Sequence, residues 1–254
     1  MTVRYDVDGP VVVITLDEEA HIRRCLESVA WADEIVVVDA ESRDKTVQIA
    51  REFTDRVISR PWPGFAAQKN FALAQSTAEW IFSLDADEEA PPELRDEIAA
   101  AIADPEAGDG YALRRRNVFL GQWIRHGGLY PDWQVRLVRR GRGRFVERAV
   151  HESVRVQGRV GRLRGHLVHR SYEGVTDFVE RANRYSSLAA EEWIGQGRSV
   201  RTPELVLRPL ARFLSMYLVQ RGFLDGRRGL LLAALYAYYV FMRSAKVWEV
   251  SRRR

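Results

Sequence analysis

The chain has 254 residues, 46% hydrophobic and 29% charged, enough apolar content to bury a core and too much for intrinsic disorder. A single cysteine, Cys25, excludes an intrachain disulfide framework and a cysteine-rich zinc site. The net charge of +4 hides an asymmetry: residues 1–110 carry 10 Lys/Arg against 24 Asp/Glu, and residues 111–254 carry 29 against 11. An acidic half joined to a basic half implies two tasks, one suited to a metal and the other to phosphates or an anionic membrane.

The opening MTVRYDVDGP lacks a basic segment followed by a long apolar stretch, so no secretory signal is expected. From there the first hundred residues alternate short apolar runs with helical spacing. VVVITL (11–16), EIVVVDA (34–40), DRVISR (55–60) and EWIFSLDAD (79–87) read as strands, rich in Val and Ile. EEAHIRRCLESVA (18–30), DKTVQIAREF (44–53) and FAAQKNFALAQS (65–76) read as the helices between them. Such strand–helix–strand units predict a parallel sheet with right-handed crossovers. PPELRDEIAAAIAD (91–104) adds a helix with prolines at its start, where missing amide donors cost least. From 110 to 170 alternating segments separated by glycine-rich turns read as further strands. Residues 174–250 turn helical. The predicted division is a nucleotide-type α/β domain over 1–172 and a helical region over 173–254.

In an open parallel sheet, ligands bind beyond the carboxyl ends of the strands, and acids gather there: Asp17 and Glu18 after the first strand, Asp39 closing the second, Asp85 and Asp87 closing the fourth. Capping of the following helix accounts for Glu18 and Asp39 equally well. It accounts poorly for Asp85-Ala86-Asp87-Glu88-Glu89, where neighbouring carboxylates repel one another unless a counter-ion is present. No GxGxxG follows the first strand and no GxxxxGK[ST] occurs anywhere, which leaves dinucleotide and P-loop folds unsupported. An Asp-x-Asp phosphatase nucleophile belongs on a first strand rather than a fourth.

ITLDEEAHIRRCLESV, VVVDAESRDKT, GFAAQKNFALAQSTAEWIFSLDADEE and the later VHE together resemble the inverting family 2 glycosyltransferases, in particular the lipopolysaccharide core β-1,4-glucosyltransferase-like branch. The likeness runs over roughly residues 10–250. Asp17 stands where that branch usually has Asn. The resemblance implies a GT-A fold, a Rossmann-like, mostly parallel sheet, followed by the C-terminal helices. It implies a UDP-sugar donor and Mg²⁺ or Mn²⁺. Thr15, Glu18, Asp39, Lys69 and Asp85 would contact the nucleotide, with Asp39 on the uracil and Asp85 at the ribose. Asp87 would bind the metal, and His169 would complete its shell. A solvent-facing helix lysine is the competing account of Lys69.

Inversion requires a carboxylate that deprotonates the attacking hydroxyl from within hydrogen-bonding reach. Glu152 in VHESV and Asp132 in YPDWQVRLVRR are the candidates, Glu152 preferred; a salt bridge to a nearby arginine is the plain alternative for both. His21 reads as structural, and His126 in RHGGLY could line a pocket. Arg136 and Arg170 are candidates for the diphosphate.

Gly229 to Met242 reads GLLLAALYAYYVFM, uncharged but shorter than the roughly 20 residues that cross a bilayer. Flanked by arginines, and preceded by a helix that mixes Arg208, Arg212 and Arg221 with Leu, Phe, Met and Tyr, it fits apolar helices lying in an anionic leaflet, or a helix buried against a core or second subunit. With these features the resemblance implies a cytoplasmic glycosyltransferase, peripheral on the inner face of the membrane, whose acceptor is a lipopolysaccharide core or other envelope glycan, lipid-linked or free. A catalytically silent sugar-nucleotide or glycan-binding scaffold is the alternative. Nucleic acid is not an expected partner, because the arginines are scattered among strands and apolar helices rather than gathered into one aromatic-studded stripe.

Overall fold

The computed structural model describes residues 9–146 and 153–253. The chain divides into two compact units. The first comprises the described residues within 9–115, 132–146 and 153–169; the second comprises 116–131 and 170–253.

In the first unit, β1 (Val11–Thr15), β2 (Ile35–Asp39), β3 (Val57–Ser59) and β4 (Trp80–Asp85) form a parallel block in the order β3-β2-β1-β4. Every residue of β1 and of β2 is buried. Their unbroken Val/Ile runs fit this position, since a parallel strand is covered on both faces. Val11 and Val13 pack with Ile22, Cys25 and Leu26 of α1 (Ile22–Ser28) and with Leu94 and Ile98 of α4 (Pro92–Ala103). Val12 and Ile14 pack on the other face with Ala66, Ala72 and Leu73 of α3 (Phe65–Ala74). The short α2 (Thr46–Ala50) buries Ala50 in the first of these layers. Truncating a side chain such as Leu84, fully buried at the centre, would cost roughly 2–5 kcal/mol.

Beyond β4 the sheet changes direction. It continues through β8 (Asp132–Arg139), β6 (Gly110–Phe119), β11 (Val160–Tyr172) and the two-residue β5 (Glu88–Glu89), with β8 antiparallel to both β4 and β6, and β5 antiparallel to β11. The fold class is the expected α/β one, its Rossmann-like parallel block extended by antiparallel strands. The predicted fourth strand is split by a turn at Ala86 and Asp87 into β4 and β5. A separate ribbon pairs β9 (Gly143–Val146) with β10 (Ser153–Val156). The connection between them carries His151 and Glu152, so the preferred catalytic base lies outside the described residues.

The second unit contains β7 (Gln122–Trp123), which pairs with the end of β6, and three helices: α5 (Val175–Gly195), α6 (Glu204–Leu214) and α7 (Gly226–Arg253). A π-turn at Ser215–Val219 and a 3₁₀ turn at Gly222–Asp225 connect α6 to α7. Phe178 and Ala182 of α5 pack with Leu232 and Leu235 of α7, and Ala190 packs with Val200 and Val247. The stretch Gly222–Arg252 is long and apolar enough to cross a membrane by length and composition.

Candidate active site

The strand register brings the predicted acids to one edge. Thr15 pairs with Asp39 across β1 and β2, Asp39 with Ser59 across β2 and β3, and Ile14 with Asp85 across β1 and β4. Thr15, Asp39 and Asp85 thus close three adjoining strands. Because side chains alternate, Asp39 belongs to the face carrying α1 and Asp85 to the face carrying α3.

Asp39 is fully buried. It accepts hydrogen bonds from Ser42 N at 3.0 Å, Ser42 Oγ at 2.5 Å and Ser59 Oγ at 3.1 Å, which leaves about one of a carboxylate's roughly four acceptor positions. Its local effect is to fold the loop after β2 into a tight turn. That loop is laced to the one after β1: Asp17 N donates to Ser42 Oγ, Arg43 N to Asp17 Oδ1 and Glu18 N to Thr46 Oγ1, each at 2.8 Å. Asp17 sits at φ 53°, a left-handed position that Asp and Asn tolerate better than most residues. Either type also offers the oxygen that Arg43 N needs, which explains why Asp stands where the resembling branch has Asn. Glu18 pairs with His21 Nδ1 at 2.8 Å, giving His21 the structural role expected of it. Thr15 Oγ1 is buried with no hydrogen-bond partner among the described residues.

Asp85 lies between two cations, Lys69 Nζ at 2.7 Å from Oδ1 and Arg136 Nη2 at 2.5 Å from Oδ2. Lys69 is 1% exposed, so the solvent-facing account of this residue is wrong. Arg136 Nη2 also meets Glu88 Oε1 at 2.6 Å, Arg115 Nη1 meets the same oxygen at 3.3 Å, and Arg115 Nη2 meets Asp132 Oδ2 at 2.7 Å. Six side chains therefore alternate in sign along one chain of contacts: Lys69, Asp85, Arg136, Glu88, Arg115, Asp132. Glu88 Oε2 further accepts from Asp85 N at 3.1 Å and fixes the turn between β4 and β5. Burial alone would push the Asp85 carboxyl up, but Arg136 and Lys69 outweigh it and hold the group well below the usual carboxylate range. Burial likewise disfavours the charged form of Arg136, yet Asp85 and Glu88 keep its guanidinium protonated more firmly than usual.

The acidic run is compensated within the fold. Asp85 and Glu88 need no bound ion as counter-charge, because buried Arg136 and Lys69 and half-buried Arg115 supply it. Arg136 is turned inward between these carboxylates rather than toward a phosphate. For Asp132 the structure shows the salt bridge, to Arg115, together with a hydrogen bond from Gln134 Nε2 at 2.7 Å. The neighbours of Lys69 on α3 serve the scaffold: Gln68 Nε2 donates to Val38 O at 3.4 Å, and Asn70 exchanges two 2.8 Å hydrogen bonds with the Phe145 backbone, anchoring β9. In the sequence Glu88 reads as one more carboxylate of the acidic run, and no local signal marks Arg115.

Asp87 differs from Asp85. Its Oδ2 lies 3.3 Å from Nε2 of His169, both side chains 13% exposed. The pairing of β5 with β11 sets His169 opposite Glu88 and so beside Asp87. Among the described residues no group of three or more His, Cys, Asp or Glu side chains forms a complete metal cage. One oxygen and one nitrogen ligand side by side nevertheless fit an ion such as Mg²⁺ or Mn²⁺, which takes one or two protein groups and completes its shell with waters and substrate phosphates. Cys25 sits close behind, with Sγ 3.6 Å from Asp85 O; burial, then the nearby carboxylates of Glu88, Asp87, Asp85 and Glu89, push its thiol well up, away from the reactive thiolate.

A parallel block with acids at its carboxyl tips, continued by antiparallel strands that return a histidine to the acidic turn, is the arrangement expected of a GT-A fold. The Mannosyltransferase PcManGT from Pyrobaculum calidifontis, solved with GDP-Man and Mn²⁺, shares this fold at TM-score 0.52 and 17% identity, over 94% of this chain and 86% of that one. Residues 11–165 match glycosyl transferase family 2, and the chain belongs to that family. It is 32% identical over 244 residues to the lipopolysaccharide core biosynthesis glycosyltransferase LpsC of Rhizobium meliloti, covering 93% of this chain and 90% of the relative. An uncharacterized glycosyltransferase of Rickettsia typhi is 31% identical over 251 residues, covering 94% and 86%.

Proposed function

We propose that this glycosyltransferase moves glucose from UDP-glucose, with inversion, to a sugar of the lipopolysaccharide core or a related envelope glycan. The observation that carries the reading is the Asp87–His169 pair at a strand tip whose neighbouring carboxylates are already neutralised. There Asp87 and His169 would hold Mg²⁺ or Mn²⁺, which when bound supplies Lewis-acid stabilisation of the departing diphosphate. Asp39 would orient the uracil ring through its remaining acceptor position, with Thr15 and Glu18 at the same edge. Lys69 and Asp85, locked together, would set the position of the ribose and phosphates without adding net charge. Glu152 would take the proton from the acceptor hydroxyl, with Asp132 the second candidate. The similarity to LpsC supports the acceptor class. For a lipid-linked acceptor of this class we place the reaction at the cytoplasmic face of the inner membrane, with the enzyme peripheral on an anionic surface.

The test is release of UDP from UDP-glucose by purified protein with Mn²⁺, with and without a core oligosaccharide. The reading expects slow hydrolysis alone, faster turnover with acceptor, and loss of both on chelation. A protein that binds UDP but releases none under any condition would be the silent scaffold instead.

A further inference from the structure

In α6 the usual amphipathic arrangement is inverted. A helix on a soluble protein turns its apolar stripe inward and its charges outward. Here Leu207, Leu210, Leu214 and Leu218 recur at helical spacing, through the π-turn, and all are exposed. Val206 at 67% and Val219 at 78% exposure widen the stripe, and exposed Phe223 and Leu224 continue it through the 3₁₀ turn. The polar side chains of the same helix are turned the other way. Arg208 pairs with Glu204 at 2.7 Å and lies over the Trp193 ring at 5.2 Å, while Arg212 lies over Tyr236 at 5.4 Å. Contiguous exposed apolar surface of this extent marks an interaction site.

Charge identifies the occupant. From Glu204, where α6 begins, to Trp248 the chain has seven Arg/Lys and two acids, Glu204, which is paired with Arg208, and Asp225. Asp225 is buried, its carboxylate accepting from the backbone amides of Arg125 at 3.3 Å and His126 at 2.8 Å. The stripe therefore meets the outside with no exposed carboxylate among these residues, while exposed Arg221 and Arg227 flank Phe223 and Leu224. We infer that the outward face of α6 and the two turns after it is a membrane-docking surface that lies in the headgroup region of an anionic bilayer, apolar side chains toward the acyl chains and arginines at the phosphates. The docking element is thus α6 rather than the apolar Gly229–Met242 segment, whose Leu232 and Leu235 are consumed in packing on α5. This inference rests on the peripheral localisation proposed above and assigns it to one face.

The experiment is co-sedimentation of the full chain with phosphatidylglycerol-containing vesicles and with pure phosphatidylcholine vesicles. Wild type should bind the former, and carbonate should strip it off. Leu210→Glu/Leu214→Glu, at exposed positions, should lower partitioning about a hundredfold while UDP binding stays at the wild-type value. Arg221→Gln and Arg227→Gln should each lower it about fivefold. If wild type ignores anionic vesicles, the localisation and the surface both fail. If wild type binds and the Leu double variant binds equally, only the surface assignment fails. Carbonate-resistant binding would mean a spanning α7 and overturn the inference. So would a stable dimer in solution that the double variant converts to monomer without change in vesicle binding.

Discussion

Replacing Arg136 with Met should be the most damaging single change in the first unit that leaves the apolar core intact. Arg136 is 3% exposed and binds Asp85 at 2.5 Å and Glu88, itself fully buried, at 2.6 Å. The variant leaves Asp85 to Lys69 and leaves Glu88 to Arg115 at 3.3 Å. Removing one member of a buried ion pair costs about 3–5 kcal/mol, mostly the uncompensated charge left behind. With a urea slope near 2 kcal/mol/M, the midpoint of unfolding should fall by roughly 1.5–2.5 M. Glu88→Gln in the same chain removes the stranded charge and should restore about 1–3 kcal/mol, a coupling that separates charge compensation from simple loss of packing. The pH dependence has a defined sign. Asp85 is held below its unfolded value, so its contribution is present above about pH 4 and is lost as pH falls below that. The wild-type advantage over Arg136→Met should shrink in the same window. An unchanged urea midpoint, or strictly additive effects in the double variant, would refute the reasoning.

Other outcomes follow from the site. His169→Ala should weaken Mn²⁺ binding about tenfold or more in the presence of UDP, and Asp87→Asn further still, as read by Mn²⁺ EPR; unchanged affinity in either would remove that residue from the metal shell. Glu152→Gln should abolish transfer while UDP binding stays within about twofold of wild type, whereas Asp132→Asn should act mainly through stability by releasing Arg115; the reverse pattern would exchange their roles. Cys25, buried with its thiol pushed up, should not react with an aromatic disulfide reagent until denaturant is added, and a rapid native reaction would show that the layer beneath the acidic turn is open.

The first hundred residues were readable because parallel strands buried on both faces leave a continuous Val/Ile signature, and α3 and α4 fall within a residue or two of their predicted bounds. The acids at the strand tips were found by the same local logic. The ion chain was not, because its links depend on pairing distant in sequence. Alternation along Asp132, Gln134 and Arg136 could be seen in β8, but nothing local says that β8 lies antiparallel to β4, which brings Arg136 to Asp85. Glu88 was hidden for the same reason, reading as one more carboxylate in an acidic run. The helical region was recognised by periodicity, yet periodicity alone does not say which side of α6 faces out.

The sharpest measurement is a crystal structure with UDP and Mn²⁺ bound. The account predicts the uracil against Asp39, the diphosphate beyond the tip of β4, and the metal within coordination distance of Asp87 and His169, with the Lys69–Asp85–Arg136 contacts unbroken. A nucleotide bound away from this edge, or a metal held by other side chains, would contradict it.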